Sequence, residues 1–227
     1  MEKKVIRKRK IKIISVMLLL LVVLLLYFFI KLLLSIKIQN IIIKNNINLS
    51  DDYIIEKANL TNYPSYFKSF SFSIEKRLED DIFIKNAKVN KQFFGVINID
   101  IEENKALFYK ENDKHYVLED GNETSTIPYK ISLPRVINYI PDTIYSNFIK
   151  KMAKIEDDIR NKISQIKYDP SDYDNSRFML YMVDGNYVYI TLTKFNSINY
   201  YNEIYPTLEG KKGILYLDSG NHFQEIK

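Results

Sequence analysis

The side chains that could carry out acid–base or nucleophilic chemistry in this chain are few. The sequence has two histidines, His115 and His222, and no cysteine. Each histidine stands beside a predicted turn, and no G-x-S-x-G, P-loop or H-E-x-x-H spacing surrounds it. An enzyme needs an acid, a base or a nucleophile within hydrogen-bond reach of its partners. We therefore interpret both histidines as exposed polar side chains and expect no catalytic site.

A second group of oxygen-bearing side chains could suggest a calcium site. It consists of Asp169, Asp172, Asp174 and Asn175. A calcium-binding EF-hand loop also needs a central glycine and a closing glutamate, and this group has neither. We interpret it as a solvated loop, and Asp218-Ser219 as a hairpin turn rather than a nucleophile and its base. The sequence thus predicts no metal, no cofactor and no small-molecule substrate.

The beginning of the chain predicts a membrane helix. Seven Lys or Arg side chains precede an uncharged apolar run of eighteen residues, Ile13 to Ile30. At about 1.5 Å per residue this run extends about 27 Å, close to the thickness of the hydrocarbon core of a bilayer. Because basic residues favour the cytoplasmic side, we expect residues 1–12 in the cytoplasm. A transmembrane helix is expected over residues 13–35, with the rest of the chain outside.

A cleaved signal peptide is the alternative interpretation of this segment. Its apolar core would span about 7 to 15 residues and end in a small-residue cleavage site. Here the run is longer and continues as Lys31-Leu32-Leu33-Leu34-Ser35-Ile36, with no such site. The pattern favours an uncleaved anchor.

The excess positive charge belongs to the membrane-proximal start of the chain. The formal net charge is +5, and residues 1–12 contribute +6, so residues 13–227 carry a net −1. A nucleic-acid-binding protein would place its basic patch on the folded domain, so the charge disfavours that class. Without cysteine, the external part must derive its stability from buried Ile, Leu, Tyr and Phe. Its length suffices for one long or two small domains.

The first external segment shows the element order β-α-α-β-β. A strand is predicted over residues 36–43, a helix follows the N-cap Ser50, and a second helix begins at Ser71 or Ser73. A further strand leads from Ile84 into a turn closed by glycine. A three-stranded sheet covered on one face by two helices would bury the isoleucines of this segment.

The strand after that turn has the clearest pattern in the chain. Ile97, Ile99 and Ile101 alternate with Asn98, Asp100 and Glu102. Successive side chains of a strand point to opposite faces, so this alternation predicts one buried and one solvated face.

The rest of the chain predicts a larger β-rich part with flanking helices. Periodicity indicates one helix over about 143–160, ending near Asn161, and another around 197–208. Two apolar runs flank Asp184-Gly185-Asn186, whose residues favour a hairpin turn. Ile214 to Leu217 reads as a last strand at the edge of a sheet, where unpaired backbone groups can accept a partner strand.

The segment Ile84 to Ala106, IKNAKVNKQFFGVINIDIEENKA, resembles the end of the POTRA domain in the bacterial cell-division family FtsQ/DivIB. The positions that match the family pattern are Phe83, Ile84, Lys85, Ala87, Val89, Lys91, Phe94, Ile97, Ile99, Ile101 and Glu102. Three prolines of that pattern are absent: Ile82 and Gly95 replace two, and none follows Glu102. The alternation itself is intact.

The resemblance continues to the C-terminus. Tyr116-Val117-Leu118-Glu119-Asp120-Gly121 and the step Leu133-Pro134 follow in the order of the family, and the stretch from Gly210 to Phe223 is similar to its closing strands. The resemblance implies an α+β fold with a single N-terminal transmembrane helix. A POTRA domain over residues 36–104 (β-α-α-β-β) would precede an FtsQ/DivIB-like domain over 105–227, a larger mixed β domain with an antiparallel sheet and flanking helices.

The resemblance also implies a non-enzymatic function. In the family, the C-terminal sheet edge is where the coiled-coil proteins FtsB/DivIC, paired with FtsL, dock in support of septal peptidoglycan synthesis. By resemblance, this docking role is assigned to the matching residues here, which are Gly213, Ile214, Leu215, Tyr216, Leu217 and Gly220. Tyr216 would anchor the partner, or alternatively lie half-buried against the last helix. The resemblance places the protein in the cell membrane at the division septum, with the septal synthase complex as a candidate further partner.

Two competing functions remain open from the sequence. The first is a membrane-anchored extracytoplasmic cell-wall enzyme, which would depend on His115, His222 or the carboxylates between Asp169 and Asp174. The second is a POTRA-type chaperone or sensor that captures extended polypeptides by strand addition.

Overall fold

The computed structural model of the chain describes residues 13–226. The predicted cytoplasmic segment, residues 1–12, lies outside the described residues. The chain divides into two compact units. Unit 1 comprises the residues up to Asn46 together with Asp51–Asp80 and Asn86–Ile101. Unit 2 comprises Ile47–Ser50, Asp81–Lys85 and the residues from Glu102 onward.

The chain begins its described part with a long apolar helix, α1, at Ile13–Ser35. Its 23 residues bury none of their side chains and extend about 35 Å at 1.5 Å per residue. It is the one helix among residues 13–226 that is long and apolar enough to cross a bilayer. The predicted helix over residues 13–35 is confirmed.

Unit 1 is built on a three-stranded sheet. Its strands are β1 at Asn40–Lys44, β2 at Ile84–Gln92 and β3 at Val96–Glu103, in the spatial order β1-β3-β2. β1 runs parallel to β3, with Asn40 opposite Val96 and Lys44 opposite Asp100. Gly95 closes the turn before β3 with a φ of +79°, a conformation that glycine adopts at no steric cost.

Two helices complete unit 1, α2 at Asp51–Lys57 and α3 at Ser71–Glu79. Both bury an apolar stripe: Ile54, Ile74 and Leu78 are fully buried, as is Ile97 of β3. The predicted order β-α-α-β-β is confirmed. The strand expected over residues 36–43 begins only at Asn40, because residues 36–38 form backbone hydrogen bonds with the loop at 64–66 instead.

Unit 2 contains a nine-stranded mixed sheet. Its strands are β4 Ala106–Lys110, β5 His115–Leu118, β6 Glu123–Thr124, β7 Arg135–Val136, β8 Ile163–Tyr168, β9 Arg177–Met182, β10 Tyr187–Thr191, β11 Gly213–Tyr216 and β12 His222–Glu225. The spatial order is β12-β11-β10-β9-β8-β7-β4-β5-β6. β7 runs parallel to β4 and β8, β11 runs parallel to β10, and the remaining pairs are antiparallel.

Short helices cover one face of this sheet. They are α4 at Asp142–Met152, α5 at Asp157–Arg160 and α6 at Tyr201–Ile204, the last flanked by 3-10 turns. The contact between the layers is aromatic: Phe148 of α4 stacks on Phe178 of β9 with ring centroids 4.9 Å apart. Phe195 meets both rings edge-on. The predicted α+β class is confirmed.

Two helix predictions in unit 2 need correction. The single helix expected over residues 143–160 is two helices, interrupted between Met152 and Asp157. The Asn199 side chain donates to the Lys154 carbonyl and accepts from the Glu156 amide, each at 3.1 Å, so it replaces helical hydrogen bonds. The helix expected over 197–208 is a succession of 3-10 and α turns.

Candidate partner-binding site

The predicted last strand, Ile214 to Leu217, is not at the edge of its sheet. β11 pairs with β10 on one side and with β12 on the other. The edge prediction for Ile214–Leu217 is therefore wrong, because four further residues, His222–Glu225, fold back and pair antiparallel with β11. Among the described residues, β12 has a strand on one side only.

The hydrogen bonds show which backbone groups of β12 face outward. Neighbouring antiparallel pairs alternate between residues that exchange hydrogen bonds and residues that do not. The Ile226 amide donates to the Lys212 carbonyl at 3.0 Å, whereas the Gly213 amide points the other way and donates to Asn186 Oδ1 at 3.0 Å. Gly213 stands opposite Glu225 and Leu215 opposite Phe223. The amide and carbonyl groups of Phe223 and Glu225 therefore point to the open edge.

Gly213 makes room for the closing strand. A Cβ atom at this position would lie 2.2 Å from the Gln224 carbonyl oxygen and 2.7 Å from the Phe223 ring. Phe223 occupies the space over the glycine and packs against the hydrophobic core of unit 2. Gly220 lies in the turn between β11 and β12 with a φ of +79°. Gly213 thus lets β12 approach β11, and Gly220 lies in the turn that connects the two strands.

Tyr216 faces the side of the sheet opposite the core and belongs to a row of stacked side chains. Its ring lies 5.5 Å from the Tyr189 ring, with an angle of 26° between the planes. On the other side it lies 4.6 Å from the His222 ring, at 8°. The Tyr216 hydroxyl also donates to Gln224 Oε1 at 3.1 Å. We call Arg177, Tyr189, Tyr216 and His222 the stacked row.

Arg177 begins the stacked row and is held by acidic side chains. Its guanidinium carbon lies 4.4 Å from the Tyr189 ring centroid, a cation–π geometry. Its Nε donates to the Asp169 carbonyl at 2.9 Å, and one terminal nitrogen lies 3.2 Å from Asp169 Oδ2. Burial alone would raise the pKa of Asp169, but the neighbouring Lys167 and Arg177 outweigh it and hold that pKa below its usual value.

The hairpin loop between β9 and β10 supports the start of β11. The Asn186 side chain is buried, with 1% exposed. Its amide oxygen accepts a hydrogen bond from the Gly213 amide, and its amide nitrogen donates one to the Tyr201 hydroxyl at 3.1 Å. That hydroxyl donates in turn to Asp184 Oδ2 at 2.7 Å. Burial, together with the hydrogen bond to Asp184, raises the pKa of Tyr201. The hairpin was predicted from Asp184-Gly185-Asn186, but this bracing role of Asn186 was not.

Two of the other sheet edges, β6 and β2, offer less to a partner strand. β6, at the opposite edge of the nine-stranded sheet, is two residues long. On β2 of unit 1, the Ala87 amide donates to Glu79 Oε1 at 3.1 Å and the Val89 amide to Glu75 Oε1 at 2.7 Å. Side chains of α3 therefore occupy edge donors that a partner strand would need.

The two histidines and the acidic loop were the candidates for chemistry. The Nδ1 atom of each histidine contacts a backbone carbonyl, that of Asp113 for His115 at 2.6 Å and that of Ser219 for His222 at 3.2 Å. His222 is exposed and His115 half-buried. No group of three potential metal ligands occurs among residues 13–226. Asp169 is engaged by Lys167 and Arg177, and Asp174 by Ser176.

The sequence did not indicate the residues that form the open edge. His222, Gln224 and Glu225 are polar and exposed, and a segment of four residues is too short for a clear periodic signal. The one available signal was the alternation of Phe223 between polar neighbours after a glycine turn, which is weak evidence for a strand.

Comparison with known proteins finds one matching family model and a set of similar proteins. The family model "POTRA domain, FtsQ-type" matches residues 36–104. Over 199 residues the chain is 30% identical to cell division protein DivIB of Bacillus subtilis (strain 168), covering 84% of this chain and 74% of that protein. It is 26% identical over 201 residues to DivIB of Listeria monocytogenes, covering 83% and 72%.

Among solved structures, the chain is similar to the major extracytoplasmic domain of the trans isomer of DivIB from Geobacillus stearothermophilus. The TM-score is 0.38 at 22% identity, covering 48% of this chain and 96% of that one.

Proposed function

We propose a scaffolding function for this chain, which belongs to the DivIB family of bacterial cell-division proteins. In this proposal it is a non-enzymatic divisome component that binds the FtsB/DivIC–FtsL pair outside the membrane. Bound there, the pair would support septal peptidoglycan synthesis. Residues 1–12 would lie in the cytoplasm and the chain from Ile36 onward outside, because the basic residues precede α1.

The observation that carries the proposal is the open edge of β12. A partner segment would add to the sheet by exchanging backbone hydrogen bonds with Phe223 and Glu225, whose amide and carbonyl groups face outward. Strand addition obtains affinity from the main chain and specificity from the alternate side chains. β12 thus replaces the predicted Ile214–Leu217 as the docking strand.

The predicted site residues of β11 act behind the docking strand in this proposal. Leu215 and Leu217 are buried in the core, so they support the edge without touching the partner. Tyr216 would hold the His222 side chain in position, since the Tyr216 ring lies flat against the imidazole. The outer face of His222 would then meet the side chain of the partner strand opposite it.

A proline substitution at the edge tests the proposal. The Glu225 amide faces outward, so Glu225→Pro removes one donor to the partner without removing a hydrogen bond between β11 and β12. We expect the full chain with Glu225→Pro to bind DivIC-type and FtsL-type partners at least about tenfold more weakly, since the proline ring also blocks close approach. Pull-down from membranes and two-hybrid assays measure the change.

Glu225→Ala is the matched control, because it removes the same carboxylate and retains the amide. It should bind the partners as the native chain does, since the ion pair with Lys211 is long, at 3.8 Å, and exposed. Equal binding by the proline and alanine variants would contradict docking at β12 and direct attention to another edge, such as β1.

The two competing functions have less support. A POTRA unit that captured a polypeptide at the edge of β2 would need free donors there, and the glutamates of α3 occupy the Ala87 and Val89 amides. For a cell-wall hydrolase, alanine at His115, His222 or Asp169 would abolish a measurable activity. We expect these variants to leave septation unchanged or to affect it through partner binding alone.

A further inference from the structure

Four residues connect α1 to the sheet of unit 1, and two loops of unit 1 are bonded to them. We call Ile36–Gln39 the linker. Tyr66 donates its amide to the Ile36 carbonyl at 2.8 Å, and Ile38 donates to the Pro64 carbonyl at 3.0 Å. Gln39 donates to the Gly95 carbonyl at 2.9 Å. The loop around residues 63–70 and the turn at 92–95 are therefore both fixed beside the linker.

The two loops also contact each other. The Tyr66 hydroxyl donates to the Gln92 carbonyl at 2.6 Å. The Lys91 ammonium lies 3.9 Å from the centroid of the Tyr66 ring, which in turn meets the Phe67 ring edge-on at 5.3 Å. These contacts make the linker and the two loops one connected surface of unit 1.

This surface lies close to the end of the membrane helix. Ile36 follows Ser35, the last residue of α1. Consecutive Cα atoms are about 3.8 Å apart, so the four linker residues lie within about 15 Å of that end, and Pro64, Tyr66 and Gly95 are each one hydrogen bond away from the linker. Apolar side chains continue in the sequence beyond the last aromatic residue of α1. Leu32, Leu34 and Ile36 are exposed as well. The interfacial layer of a bilayer adds about 5–8 Å on each side of the hydrocarbon core, so a large side chain on the loops can reach it.

Aromatic side chains of the two loops are exposed to a degree unusual for a folded domain. We call Tyr63, Phe67, Phe70 and Phe93 the aromatic rim. Their exposed fractions are 43%, 40%, 65% and 89%. Neither the core of unit 1 nor the proposed docking strand uses them. Lys37 lies on the linker and Lys68 follows Phe67 in the sequence, and both are exposed.

We propose that the aromatic rim is inserted into the interface of the lipid bilayer beside the C-terminal end of α1. Aromatic rings favour the headgroup level, where the ring is partly withdrawn from water. The neighbouring lysines would meet anionic headgroups. Lipid is the occupant favoured over a protein partner because the two loops that carry the rim are bonded, through Pro64, Tyr66 and Gly95, to the linker that follows the membrane helix. The rim would thus hold unit 1 against the bilayer.

Tryptophan fluorescence tests this inference, since the native chain has no tryptophan. The full-length chain is reconstituted into vesicles of phosphatidylethanolamine and phosphatidylglycerol, with Phe93→Trp or Phe70→Trp as the sole tryptophan, which is excited at a wavelength that tyrosine does not absorb. Both positions are largely exposed, so the replacement of one aromatic ring by another leaves the core intact. We expect emission at shorter wavelength and strong quenching when the acyl chains are brominated near the headgroup.

Lys44→Trp is the control in the same unit. Lys44 is exposed at the far end of β1, and four residue steps along the strand separate it from Asn40 by about 13 Å. Quenching by brominated lipid should be at least about twofold weaker for this variant than for Phe93→Trp.

Two results would overturn the inference. The first is equal emission and equal lipid quenching for the rim and control variants, which would leave the rim in water. The second is a blue-shifted emission from the rim variants without quenching by brominated lipid, which would mean that a protein surface covers the rim. Neither result bears on partner binding at β12, which the Glu225→Pro variant tests separately.

Discussion

Tyr216 and His222 lie face to face, with ring centroids 4.6 Å apart and ring planes within 8° of parallel. One ring belongs to an inner strand and the other to the open edge of the same sheet. The stacked row thus connects the edge to Arg177 across four neighbouring strands. A substitution on an inner strand can therefore alter the structure of β12 without removing a direct contact with a partner protein.

Loss of the Tyr216 ring should loosen β12. Tyr216→Ala removes two ring contacts, each worth about 0.5–1.5 kcal/mol, and we expect faster amide hydrogen exchange in His222–Glu225. Tyr216→Phe keeps both contacts and loses only an exposed hydrogen bond to Gln224, so its exchange should match the native chain. Exchange measured by mass spectrometry distinguishes the two variants, and equal protection in both would contradict a structural role of the stacked row.

A side chain at Gly213 should displace the closing strand. Gly213→Ala places a methyl group 2.2 Å from the Gln224 carbonyl oxygen, and we expect a loss of about 2–4 kcal/mol in the pairing of β12 with β11. Limited proteolysis between residues 218 and 226 should become faster. Gly210→Asn is the control, since Gly210 has no atom within 4 Å of the added Cβ and asparagine tolerates its positive φ; rapid cleavage of the control as well would argue against the steric cause.

Glu103 should contribute to stability through its backbone contacts. This residue is 7% exposed, and its carboxylate accepts the amides of Ile47, Asn48 and Leu49, each at 2.8 Å. Glu103→Gln replaces one acceptor oxygen with a donor, so we expect the free energy of unfolding to fall by about 1–3 kcal/mol. Thermal unfolding followed by circular dichroism measures the effect. Glu102→Gln, at the neighbouring exposed position, should leave the midpoint nearly unchanged.

Stability should fall in acid partly through Asp169. Its folded-state pKa lies below the usual value because Lys167 and Arg177 outweigh the effect of burial. A depressed carboxyl pKa stabilises the fold above the unfolded pKa of about 3.9, and this contribution is lost as the pH falls through the folded pKa. We expect Asp169→Asn to be less stable than the native chain at pH 6.

The same variant should also show a smaller drop in its unfolding midpoint between about pH 5 and pH 3, because it has no carboxyl group to protonate at this position. Parallel acid dependence of the two proteins would show that the ion pairs of Asp169 with Lys167 and Arg177 contribute nothing to folding.

Local patterns in the sequence were sufficient for the elements whose signals lie within a few residues. The apolar run from Ile13 predicts α1, and the alternation of Ile97, Ile99 and Ile101 predicts β3. The Asp184-Gly185-Asn186 turn predicts the hairpin of β9 and β10, because glycine at a positive φ is a local requirement. The family and its fold class follow from the order of such elements.

Contacts between distant residues decided the rest. The helix expected over 143–160 breaks because Asn199, more than forty residues away, takes hydrogen bonds at the interruption. Ile214 to Leu217 is equally suited to an edge or an inner strand, since alternation describes only the faces of a strand and not its neighbours. Its pairing with β10 and β12 depends on contacts with residues that are distant in the sequence. The sequence by itself determined the strands with a clear local pattern, such as Val96–Glu103 and the hairpin of β9 and β10. The tertiary structure decided that His222–Glu225 forms the open edge, because only pairing with β11 makes that short segment a strand.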